Sequence, residues 1–117
     1  MRIGVLSVIL AKEPLAQALK YLSGLGVAAV ELGSGGYAGT AHCNPPELLA
    51  DSNGQKIKDL KSLVADNGMI ISALSVHGNP VHPHKETAEH FNKIFENFNH
   101  FFPNLICFFF VIIHIPF

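Results

Sequence analysis

Three polar side chains stand where a parallel α/β chain puts its chemistry. Glu31 lies in the short apolar run Val27–Leu32, His77 follows the run Met69–Val76, and Asn79 sits in the turn Gly78-Asn79-Pro80. Parallel sheets meet their ligands at the carboxyl ends of the strands, so polar residues at those ends carry the functional question. A carboxylate at the end of a buried strand is costly unless a cation or a hydrogen-bond donor meets it. Glu31 therefore has two readings: contact with a ligand, or a structural tie to the backbone amides of the glycine loop that follows. The neutral ring of His77 both donates and accepts, which suits a sugar hydroxyl and a metal ion equally. It is the one weak candidate for a metal ligand. The expectation is that Glu31, His77 and Asn79 bind substrate, with no catalytic residue assigned.

Other polar groups near the strand ends are weaker. Lys12 and Glu13 follow the first apolar run, and Ser75 lies within the third. His82 and His84 are read as surface or helix-start residues. His42-Cys43 lacks the paired ligands a zinc site needs. Gly33-Ser34-Gly35-Gly36-Tyr37-Ala38 matches a dinucleotide-binding fingerprint in letters. That fingerprint works only when a helix N-terminus follows at once to hold the pyrophosphate. Here Gly39-Thr40-Ala41-His42-Cys43-Asn44-Pro45-Pro46 follows, so the glycine run marks at most a simpler anion or hydroxyl contact.

The elements that must position these residues alternate. Residues 3–10 are apolar almost throughout, as in a strand buried on both faces of a parallel sheet. Pro14 opens a helix carrying Leu15, Ala18, Leu19 and Leu22, which Gly24 and Gly26 end. Val27–Leu32 is the second strand, and residues 33–46 read as a loop with one helical turn at Glu47–Ala50. Gln55–Asn67 is an amphipathic helix with Ile57, Leu60, Leu63 and Val64 on one face. Met69–Val76 is the third strand. A last helix spans His84–Phe98, with Ala88, Phe91, Phe95 and Phe98 on its stripe and a Glu89/Lys93 pair outside. The order β-α-β-α-β-α predicts an α/β fold with a parallel sheet.

Length and charge bound the function. The 117 residues suffice for one domain, and eight basic side chains nearly cancel nine acidic ones. That balance gives no electrostatic case for nucleic acid or for an anionic membrane. Two cysteines, Cys43 and Cys107, cannot build a disulfide framework, and both are expected to be reduced in a cytoplasmic chain. The Ile3–Ala11 stretch is too short and lacks a cleavage signal for a secretory leader. The composition breaks near residue 97: all nine Phe lie in residues 91–117, and no charged side chain follows Glu96. Residues 98–117 thus read as an aberrant Phe/Ile-rich tail, of the kind that out-of-frame translation produces. Its apolar core, Leu105–Ile113, falls short of the roughly 20 residues of a spanning helix. A fourth strand is the rival reading of that run.

Three segments carry a resemblance. Ile3-Gly4-Val5-Leu6-Ser7, Leu25-Gly26-Val27-Ala28-Ala29-Val30-Glu31-Leu32 and Ser75-Val76-His77-Gly78-Asn79-Pro80-Val81-His82-Pro83 resemble the sugar phosphate isomerase/epimerase family of xylose isomerase-like TIM barrels. The resemblance covers residues 1–97. It implies an incomplete TIM (β/α)8 barrel: about three βα units, followed by the atypical tail. It also implies a sugar or sugar phosphate substrate and a divalent metal (Mn, Co, Mg or Zn). In such enzymes the metal acts as a Lewis acid while carboxylates move a proton on a keto sugar through an enediolate. By similarity, Glu31 and His77 line the substrate side of the barrel mouth. A whole barrel takes about 250 residues, and the metal-binding and proton-transferring Glu, Asp and His come from later strands that residues 1–117 do not contain. The chain is therefore expected to be an N-terminal part of a metal-dependent isomerase or epimerase, inactive alone and without bound metal. The alternatives are a small α/β module binding a sugar or anion, and a membrane-associated fragment held by the tail. Exposed strand edges predict self-association.

Overall fold

A computed structural model describes residues 3–101. The elements run β1 (Gly4–Leu6), a 3-10 turn (Ser7–Leu10), α1 (Leu15–Gly24), β2 (Ala29–Gly36), α2 (Pro45–Leu49), α3 (Gln55–Asp66), β3 (Ile70–His77) and α4 (Lys85–Phe101). The three strands form one parallel sheet in the order β1-β2-β3. This is the α/β alternation that the hydrophobic pattern predicts, with α2 as an added short helix. No helix among the described residues is long and apolar enough to cross a membrane. Residues 102–117 lie outside the described residues, and with them the expectations of a fourth strand at Leu105–Ile113, an anchor and an out-of-frame tail. The helix α4 itself runs without a break past residue 97, where the composition changes.

The two long helices that precede strands stop in the same way. After α1, the amide of Gly26 donates to Ser23 and that of Val27 to Leu22; after α3, Gly68 donates to Ala65 and Met69 to Val64. Gly26 and Gly68 both take the left-handed conformation this stop requires, at φ 80° and 73°. The residue after each glycine is apolar and turns inward, so each helix delivers its chain directly into a strand. The Ser23 hydroxyl donates to the carbonyl of Asn67 at 2.8 Å, tying the two stops together. A repeated local device thus sets the spacing of β2 and β3.

Leu19 and Leu22 of α1 and Val64 of α3 pack with Val30 and Leu32 of β2, Cys43, Met69, and Leu74 and Val76 of β3. Val30 and Leu32 are wholly buried, each contributing on the order of 2 kcal/mol through area removed from water. They alternate with Glu31 along β2, so the helices cover the opposite face of the strand from the carboxylate.

Several boundaries differ from expectation. The first strand ends at Leu6 rather than Leu10, because Ser7–Leu10 coils and folds across β2. Gly33 makes this possible: a Cβ there would stand 2.7 Å from Val8 Cγ2 and from the carbonyl of Ala38. The second strand extends through Gly36, into residues whose glycine content had marked a loop. Its neighbour supplies the pairing that glycine cannot encode, with Leu32↔Leu74, Gly33↔Ser75, Gly35↔Val76 and Gly36↔His77 in register. The helical turn near residue 47 begins at Pro45, since prolines in a first helical turn leave no amide unbonded.

Candidate functional site

The carboxyl ends of β2 and β3 form a joined lip. The Tyr37 amide donates to the His77 carbonyl at 2.6 Å. A Cβ on Gly36 would run into that same carbonyl, and a Cβ on Gly78 would run into the ring of Phe91. Two glycines therefore allow β2, β3 and α4 to meet at contact distance. Phe91 is buried, and its ring centroid lies 5.0 Å from that of Tyr37 with the planes inclined by 57°. Tyr37 itself is 61% exposed. The half-buried His77 closes β3 at the same level.

Glu31 stands elsewhere on the same face. It pairs in register with Leu6 and Ala73, whereas His77 pairs with Gly36. Four residues along β3 separate the two rows, about 13 Å at strand spacing. Between them lies the Gly33↔Ser75 row, over which Val8 folds. The structure therefore puts Glu31 and His77 on one face but does not bring them together. Glu31 is half-buried, and its carboxylate makes no hydrogen bond or ion pair among the described residues, so no tie to glycine-loop amides holds it. Next to its β1 partner Leu6 comes Ser7, buried to 1% exposure, whose Oγ has no hydrogen-bond partner among the described residues.

Asn79 is buried and shapes the turn: its Oδ1 accepts the Val81 amide at 3.2 Å and its carbonyl accepts that of His82 at 3.2 Å. Nδ1 of His82 accepts the His84 amide at 3.1 Å, and the two rings stack at 5.3 Å just before α4. Both histidines thus sit at a helix start, as their spacing predicts. His42 is buried, and its Nε2 lies 2.9 Å from the Glu13 carbonyl. A carbonyl only accepts, so the ring donates from Nε2 and clamps the β2–α2 connection to the start of α1. The neighbouring Cys43 is a free, buried thiol. Burial pushes its pKa up, and a hydrogen bond with Ser34 works the other way.

A divalent ion needs ligands within about 2.0–2.6 Å of one point. Glu31 and His77, separated by the register described above, do not converge on such a point. No group of three or more His, Cys, Asp or Glu among the described residues is placed to hold a metal ion. The described residues do not fit the metal that the family resemblance implies. An apolar cavity of about 380 Å³ lies away from the lip, between α3, Cys43 and the first half of β3. Met69, Ile71 and Leu74 line it, and Lys61 is its one charged neighbour, so it lacks the convergent polar groups that orient a substrate.

Sequence reasoning passed over Tyr37 and Ser7. Tyr37 counted only as a spacer in a failed fingerprint, although an aromatic directly after a glycine run is itself a signal. Ser7 was the one hydroxyl in an otherwise apolar stretch. The lip is the carboxyl end of two strands of a parallel α/β sheet, where His77 is half-buried, Asn79 is buried and the Tyr37 ring is exposed. No family model matches the chain, and no curated protein or solved structure matches it.

Proposed function

We propose that residues 3–101 correspond to the first three βα units of a barrel of the sugar phosphate isomerase/epimerase type, and that they recognise sugar hydroxyls without turning the sugar over. The single observation carrying this reading is the sheet itself. Three parallel strands follow one another in sequence order, and His77 ends the third at the lip. A TIM barrel begins with that arrangement. The resemblance of the three quoted segments supports the same reading. So does the edge of β3, where half-exposed Ile70 and the apolar cavity occupy the place a fourth βα unit would cover. A buried, protonated Cys43 suits a reducing, cytoplasmic setting.

On this reading the strand-end lip at His77 meets a sugar hydroxyl and Asn79 shapes the turn beside it, while Glu31, about 13 Å along the sheet, lies out of reach of the same monosaccharide. The metal chemistry of the family belongs to strands beyond these three. The test is an amide NMR titration with D-fructose and D-fructose 6-phosphate, run beside an aldose–ketose interconversion assay with added Mn²⁺ or Co²⁺. Shifts confined to residues 35–37 and 75–79 without turnover are expected. Turnover would overturn the non-catalytic part, and an unchanged lip would overturn sugar recognition.

A second reading, self-association, is favoured by one observation. Among the described residues β3 is an edge strand of eight residues. Unpaired strand edges recruit partners of their own kind.

A further inference from the structure

We infer that the apolar run at residues 105–113 of this same chain covers the free edge of β3 and the cavity beside it. Those residues lie outside the described ones. What points to them is the surface left uncovered, the place where α4 ends, and their own composition. No step depends on a sugar.

The surface has two parts. β3 runs for eight residues, pairs with β2 on one side and meets no strand on the other among the described residues. Such an edge presents a row of unpaired amides and carbonyls, and folds ordinarily guard it with charge, proline, a bulge or a covering element. Ile70-Ile71-Ser72-Ala73-Leu74-Ser75-Val76-His77 contains no proline and no Asp, Glu, Lys or Arg. Its one irregularity is the extra residue Ser72, between the Val30↔Ile71 and Glu31↔Ala73 pairs, and residues 73–77 beyond it have none. Beside the edge, α3 does not close over the strand. The cavity of about 380 Å³ lies between them, lined by Leu60 and Val64 from the helix and by Ile71 and Leu74 from the strand. Ile70, at the start of β3, is 51% exposed. An occupant must therefore pair its backbone with β3 and lay apolar side chains over the cavity.

The chain itself supplies one. β1, β2 and β3 already lie side by side in sequence order, each joined to the next through helix. α4 follows β3 and ends at Phe101. A parallel strand after such a helix returns to the sheet by a right-handed crossover, most often beside the strand just left. The place still open next to β3 is its free edge. Phe102-Pro103-Asn104 makes a connection of three residues, an ordinary length between helix and strand, and Pro103 opposes further helix. Nine residues then follow, Leu-Ile-Cys-Phe-Phe-Phe-Val-Ile-Ile, against the eight of β3. They are apolar at every position, as in a strand covered on both faces of a parallel sheet. β-Branched and aromatic side chains dominate them, and these fit a pleated surface. They bring no charge that an apolar cavity would have to bury. A second copy of the chain competes for the same edge, but attachment through three residues holds the run at an effective concentration on the order of millimolar.

Hydrogen exchange of the full chain tests this. Some amides of β3 bond to β2, and the others point away toward the free edge. The amides that point away should exchange at least about a hundredfold more slowly than in an unstructured peptide, whatever the protein concentration. Phe109→Asp puts a charge in the middle of the run and should return those amides to fast exchange, while the amides bonded to β2 stay protected. Phe117→Asp, beyond the run, should leave both sets unchanged. If Phe109→Asp does not fold, the parent decides alone. NOEs from the rings of Phe108, Phe109 and Phe110 to the methyl groups of Ile71 and Leu74 are then expected, and their absence would overturn the assignment. Fast exchange at the free edge of the parent would overturn it as well. Protection that survives Phe109→Asp would mean that something else covers the edge. Protection that grows with protein concentration, together with a heavier species in sedimentation, would give the edge to a second copy; either result overturns the inference.

Discussion

Tyr37 and His77 share one short hydrogen bond, amide to carbonyl at 2.6 Å, which locks the last residue of β3 to the residue that leaves β2. The bond exists because the neighbour of Tyr37 is a glycine. Any side chain at position 36 would displace the His77 carbonyl, and the φ of 61° adds its own strain.

Gly36→Ala should therefore lose about 3 kcal/mol of stability, combining backbone strain with a steric clash. Gly39 offers the comparison. It has a similar φ of 67° but open space where a Cβ would go. Gly39→Ala should lose only about 1–2 kcal/mol, the conformational part alone. Urea unfolding of both variants measures the difference. Equal losses would show that the approach of β2 to β3 is not what Gly36 protects.

Ser7→Ala should do the opposite and stabilise the chain. A buried hydroxyl without a partner loses its hydration on folding and regains nothing, a cost of about 1–3 kcal/mol. Alanine removes the group with little change of shape. A higher unfolding midpoint is expected, and a lower one would mean that the Ser7 Oγ is bonded in solution.

Much of this architecture was legible in the residues, and what was not has a physical cause. The helix faces of Leu15–Leu22 and Ile57–Val64 follow a 3.6-residue period that only a helix buries, and Gly26 and Gly68 mark their ends. Residues 33–36 read as loop because glycine has no side chain with which to declare a strand; the pairing there comes from β3, more than 35 residues away. The apolar run 3–10 read as one strand because hydrophobicity does not distinguish an extended segment from a short coil folded over a glycine. The strand-end rule singled out Glu31 and His77, but β2 runs on to Gly36, so Glu31 is the third residue of the strand and not its end; the distance between the two depends on register, and two irregularities in the β2–β3 pairing are invisible in one sequence. Tyr37 escaped because its contacts are with the His77 carbonyl and the ring of Phe91, both far along the chain.

Acid should loosen the start of α3. Asp51 accepts the Lys56 amide at 2.8 Å and the Asn53 amide at 3.2 Å, and the Lys56 bond is the first cause holding its carboxyl below the ordinary value of 3.8. The folded chain thus prefers the carboxylate more than the unfolded chain does. Its contribution is present in full above the unfolded carboxylate range and fades as pH falls through the lowered folded value. Asp51→Asn should be less stable than the parent at neutral pH, and the gap should close as pH falls below the ordinary carboxylate range. A gap independent of pH would show that the hydrogen bonds matter and the charge does not.

Cys43 gives the alkaline counterpart. Its thiol is buried at 3% exposure, and desolvation raises its pKa above the ordinary 9.0. As pH climbs past that ordinary value, the unfolded chain releases the thiol proton while the folded chain keeps it. The stability this group confers is thus whole below the unfolded thiol pKa and drains away as pH rises toward the folded one. Cys43→Ala removes the titration and a small volume of core beside the cavity, so it should be less stable at neutral pH by about 1 kcal/mol. It should also lose less stability than the parent between neutral pH and pH 10, because lysine titration is common to both chains. The same burial should protect the thiolate-forming sulfur from reagents. Iodoacetamide should label the Cys43 peptide slowly in the native chain and rapidly in urea, as read by mass spectrometry. Fast native labelling would mean that the segment carrying His42 and Cys43 opens readily, and that the bond from His42 to the Glu13 carbonyl does not hold it shut.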